Sequence, residues 1–145
     1  LEEFTVESLV RNVVSDLRSA YPEAIITVEC NDDVTIRAAQ KFELAIRELL
    51  TNAIVHNDSG SPELTVSVVQ TGDAVCIEIV DNGPHIPEME WKISSGMKEP
   101  TQLDHGTGLG MRLVQLLVDR SGGSIRFEQP SANSNGNIVA LELPE

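Results

Sequence analysis

The chain has 145 residues, 41% apolar but only 3% aromatic, the size of one domain whose core is Leu, Ile, Val and Ala. Asp and Glu number 23 against 10 Lys and Arg, a formal net charge of −13. That balance excludes a general surface for nucleic acid or an anionic membrane, either of which needs a basic patch. No apolar run approaches a membrane span, and no charged-then-apolar leader opens the sequence. Leu1 stands first in place of Met, which reads as a piece of a longer protein. The expectation is one cytoplasmic domain over residues 1–145, without direct membrane contact. Crowded carboxylates repel one another at low ionic strength and are screened at high salt, so the charge points to a halophilic source.

In chain order, Thr5 precedes a helical pattern in which Val6, Leu9, Val10, Val13, Val14 and Leu17 follow the three-four spacing. Tyr21-Pro22 ends it. Ile26, Val28 and Cys30 alternate, Asn31-Asp32-Asp33 turns, and Val34, Ile36 and Ala38 follow, which predicts a hairpin of two short strands. A second helix carries Phe42, Ala45, Ile46, Leu49, Leu50, Ala53 and Ile54 on one face. Leu64, Val66 and Val68 alternate, Thr71-Gly72-Asp73 turns, and Val75, Ile77 and Ile79 return, predicting paired strands. Residues 82–108 read as a long loop of the kind that usually serves a function. A third helix over about Leu109–Asp119 is apolar around most of its girth, hence expected to be buried. Gly122-Gly123 caps it. Two last strands, at Ile125 and Phe127 and at Val139, Leu141 and Leu143, close one mixed sheet under helices, an α/β sandwich. Cys30 and Cys76 sit in strand patterns and read as buried free thiols.

Three stretches carry chemistry. In Glu48-Leu-Leu-Thr-Asn52-Ala-Ile-Val-His56, steps of four turn only about 40° past a full turn, so Glu48, Asn52 and His56 share a stripe. It borders the apolar face and could hold an oxygen-loving ion such as Mg²⁺. Taken alone, it is more simply a solvated helix edge. In Val80-Asp81-Asn82-Gly83-Pro84-His85-Ile86-Pro87, Asp81 ends a strand and can accept from an exocyclic amine, while Gly83 lets backbone approach a flat ligand. Taken alone, it is equally a turn-forming Asp-Asn-Gly. In His105-Gly106-Thr107-Gly108-Leu109-Gly110-Met111, alternating glycines run into a helix whose first N–H groups can cradle phosphate. It lacks the Lys-Ser/Thr end of a Walker loop, and no strand leads directly into it.

In this order the three stretches resemble the N, G1 and G2 boxes of the GHKL ATPase superfamily, most closely the catalytic ATP-binding domain of sensor histidine kinases. The likeness runs from the first helix to Pro144 and includes Ser121-Gly122-Gly123-Ser124-Ile125 and the closing strand from Gly136. It implies a Bergerat-type two-layer sandwich, with three helices on one face of a mixed sheet and a mobile ATP lid over 87–105. It implies ATP and Mg²⁺ as cofactors. By motif position, Asn52 would hold Mg²⁺, His56 would sit near ribose or phosphate, and Asp81 would accept from the adenine amino group. Gly83 would shape the adenine pocket, and Ile86 would belong to the nucleotide site. Gly106, Gly108 and Gly110 would line the phosphates, with Thr107 and Leu109 between them also in the nucleotide site and Lys92, Lys98 and His105 as possible partners from the lid.

Four features depart from the family pattern. His85 replaces the second glycine of the G1 box, and Asn137 stands where Thr is usual. The lid lacks Phe-x-x-Phe, for which Trp91 can substitute. Glu48 stands where many histidine kinases have Asn, and resembles the water-activating base of hydrolytic relatives and anti-sigma serine kinases. No histidine here opens a dimerisation helix. The resemblance therefore implies phosphoryl donation to a histidine on an upstream helical hairpin, with a response regulator as further partner. A self-contained ATPase or serine kinase, and a non-catalytic nucleotide sensor, stand as rivals.

Overall fold

The structure, a computed structural model, describes residues 1–30, 34–57, 60–83, 107–128 and 136–144, with side chains from Gly110 onward in the fourth stretch. Chain order is β1 (Glu2–Thr5), α1 (Val6–Ala20), β2 (Ile25–Cys30), β3 (Thr35–Ala38), α2 (Glu43–Val55), β4 (Glu63–Thr71), β5 (Ala74–Asp81), α3 (Thr107–Arg120), β6 (Ser124–Glu128) and β7 (Asn137–Pro144). Five strands form a mixed sheet in the order β2-β4-β5-β7-β6, and β1 pairs with β3 in a separate two-stranded sheet.

That pairing corrects the expected β2–β3 hairpin and the single sheet. β2 runs parallel to β4, Ile25 opposite Glu63 and Cys30 opposite Val68. β3 runs antiparallel to β1, Phe4 opposite Ile36. Parallel neighbours need a long crossover, and α2 lies within it. The β4–β5 hairpin is present, Thr71 opposite Ala74, with Gly72 at φ +60° in its turn.

α1 buries the predicted stripe from Val6 to Leu17, each side chain contributing about 1.5–3 kcal/mol relative to exposure. Its start needs no side-chain cap: Thr5 is extended and makes no capping bond, while the Val6 N–H donates to the Val34 carbonyl at 2.8 Å. α2 buries Ala45, Ile46, Leu49, Leu50 and Ile54 and packs against both α1 and α3. α3 begins at Thr107, earlier than expected, and is less buried than its composition suggests. Met111, Val114, Leu117 and Val118 are in the core, but Leu113 and Leu116 are exposed. Gly122, at φ +77°, turns the chain out of α3. There the buried Ser121 hydroxyl accepts from the Ala39 N–H at 2.8 Å and donates to the Leu117 carbonyl at 2.7 Å, tying α3 to the end of β3.

The strand period of two decides which residues meet the helices. In β5 the buried set is Val75, Ile77, Ile79 and Asp81; in β7 it includes Asn137, Val139, Leu141 and Leu143. One carboxylate and one carboxamide thus fall on the helix-facing side at the same end of the sheet, directly opposite each other. Cys30 and Cys76 are not disulfide-bonded and are only partly buried; burial, then the Glu78 charge, pushes the Cys76 thiol's pKa up. Among the described residues no helix is long and apolar enough to cross a membrane.

Candidate functional site

Asp81 is the chemical centre of this end of the sheet. It is 8% exposed, and burying a carboxylate is costly unless donors face it. Its Oδ1 accepts from the Gly83 N–H at 2.8 Å and from Asn137 Nδ2 at 3.1 Å, and the Asn137 backbone N–H assists. Burial still dominates and raises the pKa of Asp81; the Gly83 and Asn137 bonds work against that rise. A carboxylate has about four acceptor sites, so Asp81 keeps capacity to accept from a ligand as well. Gly83 is pinned on its other side by the Gly136 N–H, which donates to its carbonyl at 2.8 Å. A side chain at Gly83 would crowd Asn57 and Asp81. Asn137 is 4% exposed, so its departure from the family Thr is a direct carboxamide–carboxylate contact.

Glu48 and Asn52 sit one turn apart on α2, half-buried, and both face the start of α3. The Glu48 carboxylate occupies the space where a Cβ on Gly110 would be. Asn52 Nδ2 donates to the Met111 sulfur at 3.5 Å, a contact the sequence reading missed. That bond orients the carboxamide and leaves Oδ1 as a hard oxygen donor, the ligand type Mg²⁺ prefers, so these residues fit such an ion. His56 lies just past the helix, at its C-cap, and is exposed. The predicted stripe therefore holds for Glu48 and Asn52, while His56 continues it only at the C-cap, its N–H bonded to the Asn52 carbonyl at 3.0 Å. Thr107–Gly110 form the first turn of α3, whose N–H groups have no helical acceptors. Ile86, Lys98, His105 and Gly106, with the remaining lid positions, lie outside the described residues, as do the side chains of Thr107, Gly108 and Leu109.

A shallow hollow of about 310 Å³, lined by residues including Asp73, Gly123 and Glu142, lies at the opposite end of the sheet. It shares no residue with the cluster around Asp81.

Residues 37–145 match the family described as histidine kinase-, DNA gyrase B- and HSP90-like ATPases. The chain belongs to this family. Within it, this GHKL domain is homologous to the catalytic ATPase domains of sensor histidine kinases of two-component systems. It is 25% identical to sporulation kinase B of Bacillus subtilis, over 99% of this chain and 33% of that protein. It is 26% identical to nitrogen regulation protein NtrY of Azorhizobium caulinodans, over 95% and 18% respectively, and 31% identical to sensor protein QseC of Salmonella typhimurium, over 86% and 28%. The chain thus spans a third or less of these relatives. In fold it is similar to the catalytic domain of histidine kinase ThkA, with a TM-score of 0.82 at 24% identity, covering 99% of this chain and 94% of that one. It is also similar to the ATP binding domain of PrrB from Mycobacterium tuberculosis, with a TM-score of 0.77 at 22% identity, covering 99% and 96%.

Proposed function

We propose that this GHKL domain binds Mg·ATP and donates the γ-phosphoryl group to a histidine on a separate dimerisation domain in two-component signalling. The observation that carries the reading is the buried Asp81 carboxylate, with Oδ1 held by Gly83 and Asn137 and acceptor capacity remaining for the adenine amino group. Asn52 Oδ1 would take Mg²⁺, and Glu48 would order a metal-bound water. A bound Mg²⁺ supplies neutralisation of phosphate charge. The first turn of α3 offers backbone N–H groups to the phosphates. In the transfer, the bond from the γ-phosphorus to its bridging oxygen breaks, a phosphorus–nitrogen bond to the acceptor imidazole forms, and ADP leaves. Phosphoryl transfer asks the protein mainly for positioning and charge stabilisation, which these groups can give. A response regulator would then receive the phosphoryl group.

The test supplies the chain with a helical hairpin bearing the acceptor histidine and follows label from γ-labelled ATP. Acid-labile, base-stable phosphate on the hairpin is expected, and none without it. A second reading, an ATPase that activates water itself, is favoured by one observation: the Glu48 carboxylate lies against the start of α3, where a general base would act. Robust phosphate release without an acceptor would decide for it.

A further inference from the structure

We propose that the Asn57–Asn82 carboxamide pair is a positioning link that sets the spacing between the phosphate side and the adenine side of the nucleotide site. This rests on the nucleotide-site reading above and adds a role for two residues that need not touch the ligand. Asn57 follows His56 at the end of α2, the helix that carries Glu48 and Asn52. Asn82 follows Asp81 at the end of β5. Asn57 Nδ2 donates to Asn82 Oδ1 at 2.6 Å. The same Oδ1 accepts from the Glu63 N–H at 3.0 Å, and Asn82 Nδ2 donates to the Ser61 carbonyl at 3.2 Å.

These two backbone contacts make the carboxamide of Asn82 directional. Turned over, its NH₂ would face the Glu63 N–H and its oxygen would face the Ser61 carbonyl, donor against donor and acceptor against acceptor. The acceptor presented to α2 is therefore fixed, and a side chain at position 57 can join it only as a donor. Asn57 supplies that donor, and the same side chain sits within 3.3 Å of the Cβ position of Gly83. The end of α2 is thus registered on the turn that holds Asp81. An error there moves Asn52 relative to Asp81, and a ligand that reaches both must lose contact with one. A ligand that engages only the adenine side is indifferent to the spacing.

Asn57→Ala removes the donor, and Asn57→Asp sets a carboxylate against the fixed acceptor. Affinities for adenosine and for Mg·ADP are measured by calorimetry for wild type and both variants, with melting temperatures alongside. Mg·ADP should weaken about three- to tenfold in Asn57→Ala, the scale of one net hydrogen bond, and more in Asn57→Asp, while adenosine changes less than about twofold. Equal loss for both ligands, or no loss for either, overturns the link. If wild type binds neither ligand, the nucleotide-site reading itself has failed, which is a different result from wild-type binding with unselective variants. A merely structural role predicts a lower melting temperature with the two ligands affected alike.

Discussion

The Glu48 carboxylate lies against the bare Cα of Gly110 in the first turn of α3, so a methyl group there would displace it. The displaced atoms are the end of a flexible side chain, and Ala is a better helix residue than Gly by about 1 kcal/mol. Gly110→Ala should therefore melt no lower than wild type, yet match Glu48→Ala in its loss of phosphoryl transfer. A substantial fall in melting temperature would show that the contact holds the helices together instead.

Glu48→Gln separates transfer from hydrolysis. Loss of a general base typically costs ~100-fold or more in rate. The expected result is little hydrolysis by the wild-type chain alone, and so little to lose. Brisk wild-type phosphate release that collapses in the variant would favour water activation.

Asp81 should make stability and binding respond to pH in opposite directions. Burial raises its folded pKa, so between the ordinary carboxylate value and the raised one the folded state holds the proton more tightly than the unfolded chain. Its contribution to stability is full below the ordinary value and is lost as pH rises through the raised one. ADP affinity should climb over that window if, as proposed, the ionised carboxylate accepts from adenine. Asp81→Asn should flatten the difference in melting temperature across the window, stand level with or above wild type at neutral pH, and bind ADP far more weakly. Wild type should also reject GDP, whose guanine carbonyl oxygen would face an acceptor where adenine offers an amino group; loss of that charged hydrogen bond costs about 1.5–3 kcal/mol. Equal ADP and GDP affinities near neutral pH would remove the adenine role of Asp81.

Gly123→Ala should destabilise without touching the site. A Cβ there would run into the Glu142 carbonyl and the Leu143 side chain, and a backbone oxygen in a paired strand cannot step aside. Overpacking of this kind costs about 1–3 kcal/mol. Chemical denaturation should show that loss, with the ADP affinity of the folded fraction unchanged.

Salt should stabilise the chain. At a net charge of −13, carboxylate repulsion reaches ~30 Å in 0.01 M salt but only ~3 Å at 1 M. The melting temperature should rise markedly from about 0.05 to 2 M KCl, with Mg·ADP still bound at molar salt. A flat series would point to an ordinary acidic domain.

Much of this was legible in the sequence because periodicity records burial directly. The α1 stripe, the α2 face and the β4–β5 hairpin are where the spacing put them. Asp81 could be read as inward-facing because it completes the alternation of Val75, Ile77 and Ile79. Pairing partners were less legible: β2 and β3 look like a hairpin locally, and nothing in either segment says that one joins β4 and the other joins β1. β1 escaped notice because Glu2 and Glu3 are exposed and give no apolar rhythm. The exposed Leu113 and Leu116 show that apolar composition does not fix which side of α3 is covered. Asn57 and Asn82, 25 positions apart, have no sequence signature as a pair, although each stands beside a motif residue.

The strand order also dictates when the adenine side can come into being as the chain folds. β6 pairs with β7 alone, so although it precedes β7 in sequence it has no place in the sheet until β7 arrives. β7 is also the strand that brings Asn137 to Asp81 across 56 residues, while the β4–β5 hairpin can close early from neighbouring segments. Until then Asp81 lacks the carboxamide that faces its Oδ1. On the proposed reading, the surface that would receive adenine is complete only once this long-range pairing has formed. A ligand that recognises contacts absent from the folding transition state slows unfolding and leaves the folding rate nearly unchanged. In a stopped-flow experiment ADP should lower the unfolding arm of the chevron and leave the refolding arm in place.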